Sequence, residues 1–120
     1  MRQWDVWQLD QGDSRENTDP RQPVDQDQRP KRYYVLVSSN AHINQAQNVT
    51  CIPVQTAGDG IITCVPISRR PSGLDYDSYA WCNTIYTIPK QWFIRKTGYV
   101  NKNEQQEIQY SICDYLGIDF

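Results

Sequence analysis

The last third of this 120-residue chain constrains its fold more than any other stretch. A strand-like run, Trp81-Cys-Asn-Thr-Ile-Tyr-Thr-Ile-Pro-Lys90, ends in a Thr-Ile-Pro turn, and a short basic segment then closes on Gly98. Asn101-Lys-Asn-Glu104 follows, an Asn cap with a glutamate three residues on, the reciprocal arrangement that starts a helix. Ile108, Ile112, Tyr115 and Leu116 then recur at i, i+4, i+7 and i+8, one stripe that needs a core to bury it. Glu104 and Glu107 suit the positive end of the helix dipole, and Gly117 suits its termination. Such a helix, closing a chain otherwise written in strands, must pack on a sheet.

The strands are legible upstream. Trp4, Val6 and Gln8 alternate with Asp5 and Trp7, which predicts a short strand over 3–9. Residues 10–31 hold three prolines, many Asp, Gln and Arg, and Val24 as their one aliphatic residue. That composition buries too little apolar surface to offset its ordering entropy, so it predicts a long flexible loop inside one domain spanning 1–120. Arg32-Tyr-Tyr-Val-Leu-Val-Ser-Ser39 is rich in aromatic and β-branched residues and reads as a strand. Asn40–Gln47 reads as a polar connection. Asn48–Gln55 and Gly60–Ile67 read as two strands joined by the turn Ala57-Gly-Asp-Gly60, with Pro53 and Pro66 marking edges or bulges. Arg69–Asp77 reads as a loop, Ser78–Ile88 as one long strand and Phe93–Val100 as a shorter one. The expected class is mainly β, an α+β fold: a small, strongly bent antiparallel sheet, barrel-like in the SH3 manner, with a C-terminal amphipathic helix.

The net charge of −2 is unevenly distributed. Residues 1–31 carry five basic and seven acidic side chains, residues 32–102 seven basic and three acidic, and residues 103–120 four acidic and no basic. A mildly basic body between acidic ends suits an anionic ligand such as RNA. No run of about 18 apolar residues occurs, and the N-terminus has no apolar signal core, so no membrane contact and a cytoplasmic location are expected. Cys51, Cys64, Cys82 and Cys113 contain no Cys-x-x-Cys pair and sit among apolar neighbours, which predicts buried free thiols and no metal site. His42 is the only histidine and lies in a polar stretch, so no Ser-His-Asp set is expected. No glycine-rich phosphate cradle is present, and no cofactor is implied. Asp75 and Asp77 read as a solvated pair on a loop.

Several weak motifs in order carry a resemblance. Met1-Arg-Gln-Trp-Asp-Val-Trp, Arg32-Tyr-Tyr-Val-Leu-Val-Ser-Ser-Asn, Cys51-Ile-Pro-Val-Gln-Thr56, Gly73-Leu74 with Ser78–Ile88, and Gly98 with the helix together resemble the MazF/PemK-type toxins. The resemblance implies a barrel-like sheet, a homodimer, an antitoxin partner and metal-independent cleavage of single-stranded RNA by attack of its own 2′-hydroxyl. It assigns a catalytic arginine to Arg32, whose planar fork suits charge developing on phosphate oxygens. Arg29 and Lys31 would help to attract the phosphate backbone. The family's catalytic threonine falls on Gln55, with the hydroxyl one residue later at Thr56; a bulge after Pro53 would restore it, and Ser68 is a distant substitute. An RNA-contacting arginine of several relatives is replaced by Tyr86, which can stack a base. These departures keep two other readings open: a non-catalytic barrel that binds a protein target, as the gyrase-poisoning CcdB toxins do, and a regulatory or structural domain without toxicity.

Overall fold

The computed structural model describes residues 1–10, 31–60 and 63–119. The loop expected over 10–31 lies, from 11 to 30, outside them. Seven strands form one antiparallel sheet: Asp5–Leu9 (β1), Arg32–Leu36 (β2), Asn48–Gln55 (β3), Cys64–Ile67 (β4), Ser78–Trp81 (β5), Tyr86–Pro89 (β6) and Phe93–Tyr99 (β7). Their order is β4-β5-β3-β2-β1-β7, with β6 added beside the first half of β3. Three α-helical segments, Asn40–Gln45 (α1), Arg69–Ser72 (α2) and Lys102–Leu116 (α3), and a 3-10 turn, Lys90–Trp92, complete the described residues. Among the described residues, no helix is long and apolar enough to cross a membrane.

Strand alternation sends side chains to two faces, and both are buried. One face gathers Val6, Val35, Ile52, Val65, Val100 and Ile108, the last from α3. The other gathers Tyr34, Leu36, Ile43, Val49, Cys51 and Phe93, with Ile43 supplied by α1 and Trp7 packed alongside. The sheet is an open path whose two edges are drawn together. The segment after β4 lands on β7, where Thr97 Oγ1 donates to the Ser72 carbonyl at 2.8 Å. The approach is so close that a Cβ on Gly98 would collide with the Pro71 and Ser72 carbonyls, and one on Gly73 with the Thr97 carbonyl. Only glycine fits there, and Gly73 also takes a left-handed φ of 75°. The expected barrel-like curl is thus closed by this contact in place of a ladder.

The capping box on α3 forms as the sequence predicts. Glu104 N–H donates to Asn101 Oδ1 at 2.8 Å, and Asn101 N–H to Glu104 Oε1 at 3.1 Å. The apolar stripe is only half used. Ile108 is buried and Ile112 packs on the core, but Tyr115 and Leu116 are half exposed.

Other expectations need correction. The connection 40–47 contains α1, capped by Ser39; with Ile43 as its one buried residue it has no apolar period to betray it. A lysine staples it in place, since the Lys90 ammonium donates to the Ile43 carbonyl. The loop 69–77 begins with the four-residue turn α2. β3 and β4 are no hairpin: β5 lies between them and pairs with both. The long strand over 78–88 is two, β5 and β6, separated by a turn in which Thr84 N–H donates to the Trp81 carbonyl.

That split explains Pro53. β6 pairs with Asn48–Cys51 and β5 with Val54–Gln55, so the stretch of β3 between them has no neighbour on that side. The Thr50 carbonyl points toward β2, accepting from Val37 N–H at 2.9 Å. Backbone groups alternate sides along a strand, so position 53 addresses the gap. Proline has no N–H to leave unpaired there. Pro53 therefore sits in a central strand and not at an edge, whereas Pro66 does sit in an edge strand, β4.

Candidate active site

The β2–β3 ladder is regular: Leu36↔Cys51, Val35↔Ile52, Tyr34↔Pro53 and Tyr33↔Val54. No bulge follows Pro53. One step beyond the last pair stand Arg32, first in β2, and Gln55, last in β3, so they face each other at the open end of the ladder. Arg32 is also held against β1, where it pairs with Leu9. Gln55 is held on its other side by Tyr79. Thr56 follows where β3 has ended and the chain bends. It reaches the same space by leaving the strand.

That space is a groove of ≈ 770 Å³. Lys31, Arg32, Gln55, Thr56 and Tyr86 all line it, so the sequence-expected residues that lie among the described ones converge. Arg29 lies outside the described residues. Pro53 forms part of the lining, as does Thr84 from the turn between β5 and β6, so the gap in the ladder opens into the groove. Ser68 lines a neighbouring hollow instead, with its N–H donating to the Glu104 carboxylate at 2.8 Å. His42 is in α1, its Nδ1 2.7 Å from Ser39 Oγ. Asp77 pairs with Arg69 at 3.7 Å, while Asp75 lines the groove. Among the described residues, no three His, Cys, Asp or Glu side chains are grouped to hold a metal ion.

Sequence reasoning missed Tyr34. It follows Arg32 by two along β2 and so shares its face of the sheet. Only 6% exposed, it forms a wall of the groove. Its ring meets Tyr86 edge-on at 6.1 Å and 79°, and Phe93 at 6.1 Å and 85°. Burial pushes its phenol above the usual tyrosine range. The positive charge of the nearby Arg32 guanidinium partly opposes that shift. Tyr34 thus stands beside Arg32 on the groove wall and against Tyr86, whose ring remains 47% exposed. The signal was available in the sequence as an Arg-x-Tyr step on one strand, but a strand tyrosine is more often packing alone.

Two of the thiols are inert by environment. Burial raises Cys51 to about 12, and burial together with the neighbouring Cys64 thiol raises Cys82 to about 12. Neither supplies a thiolate nucleophile at neutral pH. All four cysteines are free, but Cys64 and Cys113 are only partly buried. What the groove does offer is an exposed guanidinium, an amide, a hydroxyl and an aromatic face, a set suited to phosphate and base recognition.

Comparison with known proteins bears on the fold and the family. No curated protein matches the sequence. Among solved structures, the Mycobacterium tuberculosis toxin MazF-mt6 superposes with a TM-score of 0.69 at 24% identity, covering 75% of this chain and 90% of its own. An endoribonuclease from a mycobacterial species, solved with its cognate antitoxin, gives 0.77 at 18% identity over 100% of this chain and 98% of its own. MazF of Deinococcus radiodurans, solved with MazE, gives 0.74 at 10% identity over 99% and 97%. At these identities the likeness establishes the fold. The family model of the PemK-like, MazF-like toxins of type II toxin–antitoxin systems matches residues 2–116, and the chain belongs to that family.

Proposed function

We propose that this protein is the toxin of a type II toxin–antitoxin pair and cleaves single-stranded RNA in the groove between β2, β3 and β6. The convergence of Arg32, Gln55 and Thr56 on one groove with Lys31 and Tyr86 carries this reading. The 2′-oxygen of a nucleotide attacks the adjacent phosphorus while the bond from phosphorus to the 5′-oxygen breaks. A 2′,3′-cyclic phosphate and a 5′-hydroxyl end result; the 2′ proton passes to water, and water returns one to the leaving oxygen. Arg32, permanently charged, stabilises the negative charge that builds on the phosphate oxygens. Thr56 and Gln55 orient the phosphate or the attacking hydroxyl. Lys31 neutralises backbone charge, and Tyr86 stacks an unpaired base. Arg29 is proposed to contribute to the same backbone attraction. The reaction draws on no metal ion or cofactor. The protein works in the cytoplasm as a homodimer, held silent by an antitoxin; the antitoxin-bound mycobacterial and Deinococcus neighbours support that partner.

A second reading has its own observation. Gln55, which lacks a hydroxyl, occupies the position across from Arg32, and a barrel with an altered site would act by binding a protein target. The two are separated by incubating the purified protein with mixed single-stranded RNA in excess EDTA. Cleavage to cyclic-phosphate ends, reduced about 10²- to 10³-fold in Arg32→Ala with the fold intact, is the expected result. Intact RNA with folded wild-type protein would favour the binding module.

A further inference from the structure

A second hollow of ≈ 620 Å³ adjoins the groove, and the two share Leu74 and Asp75 as a common ridge. Its other lining includes Ser68, Arg69, Arg70 and Asp77. Arg69 is engaged by Asp77, through Nε at 3.7 Å and the backbone N–H at 3.3 Å. Arg70 is exposed, and among the described residues no carboxylate pairs with it. Its charge is available to a ligand.

The loop that carries Arg70 is held unusually firmly for a surface segment. Pro71 restricts the residue before it to extended backbone, and Arg70 has φ −125° and ψ 131° inside an otherwise helical turn. Ser72 Oγ donates to the Ser68 carbonyl at 2.6 Å, and Ser72 itself is fully buried. The Glu104 carboxylate, 6% exposed, accepts from Ser68 N–H and so ties the loop to the first turn of α3. Thr97, Gly73 and Gly98 lock it onto β7. Little backbone entropy is left to lose on binding at Arg70.

We infer that Arg70 forms a second phosphate site, which extends the RNA track from the Arg32 groove across the Leu74–Asp75 ridge. The inference rests on the ribonuclease reading above. Cations stand on both sides of the ridge, Lys31 and Arg32 in the groove and Arg70 beyond it. The Asp75 carboxylate on the ridge repels a phosphate but accepts N–H groups from a base edge. A strand crossing there therefore places phosphates on either side and a base over the ridge.

The test uses the full-length protein and oligonucleotides carrying 2′-deoxy sugars, which cannot be cleaved. Binding of a trinucleotide and an octanucleotide is followed by fluorescence anisotropy over a range of salt concentrations. Arg70→Gln is expected to weaken the octanucleotide about three- to tenfold and to lower its salt slope by ~0.7, the loss of one single-strand phosphate contact. The trinucleotide, filling the groove alone, is expected to bind unchanged, and Arg70→Lys is expected to restore most of the slope. An unchanged octanucleotide affinity and slope in Arg70→Gln, while the wild type binds RNA and Arg32→Ala abolishes its cleavage, would overturn this site and leave the ribonuclease reading standing. Equal weakening of both probes would also overturn it, by placing Arg70 in the first groove. Absence of any RNA binding by the wild type would remove the ribonuclease reading and this site with it.

Discussion

The two faces of the sheet do different jobs. The face under α3 is aliphatic, built from residues such as Val6, Val35, Ile52 and Ile108, and its burial serves the fold. The opposite face is aromatic, with Tyr34, Phe93 and Trp7, and it runs out into the groove. Arg32 and Tyr34 share that face on β2. Gln55 and Pro53 share it on β3, by alternation from Cys51. The site is therefore the exposed end of a core. Packing that stabilises the protein on this face also shapes the groove, to which the other face adds only Tyr33, Val54 and Leu74.

Three measurements would break or sharpen that contrast. The largest effect is expected from Ile52→Ala, a fully buried truncation on the aliphatic face. It is expected to lower unfolding free energy by ~2–5 kcal/mol in urea titrations, with RNA affinity per folded molecule unchanged. A matching loss of affinity would show that the faces are coupled. Next is Tyr34→Phe, which removes one hydroxyl and keeps both ring contacts. Stability is expected to shift by less than ~1.5 kcal/mol, while RNA cleavage falls roughly tenfold because the groove loses the hydroxyl beside Arg32. Full activity would reduce Tyr34 to packing. The smallest effect, absent at neutral pH, concerns the buried thiols. Cys51 and Cys82 stay protonated in the folded protein up to about 12, whereas unfolded thiols ionise near 9.0. The unfolded state then holds fewer protons, so stability is expected to fall as pH rises above 9.0. Cys51→Ala should flatten that decline, as urea midpoints across the alkaline range would register.

The sequence carried the local signals well and the pairing signals poorly. The Asn101 capping box, the β3 boundaries and the close of α3 at Gly117 are written in adjacent residues, and all are found. The order β4-β5-β3 is a non-local fact, and the Ala57–Gly60 turn signal suggested a hairpin that β5 interrupts. The division of residues 78–88 was hidden for the same reason, since the break is set by where β3 changes neighbours. In the candidate site, Arg32, Gln55 and Thr56 were visible because the family order aligns them. Tyr34 was not, because nothing in one chain separates a tyrosine that only packs from one that also walls a groove. Arg70 had no signal until its loop was seen pinned beside the groove.

The interruption beside Pro53 has an evolutionary consequence. The groove opens where one ladder hands over to another. The turn residues Asn83 to Ile85 join β5 to β6 without belonging to either strand, and Thr84 among them lines the groove, whereas Cys82 before them is fully buried in the core. A lineage of such proteins can therefore rewrite what its groove recognises at this turn while every paired strand keeps its register. Divergence of specificity and preservation of architecture fall on different residues, and this chain has the means to drift in one without risking the other.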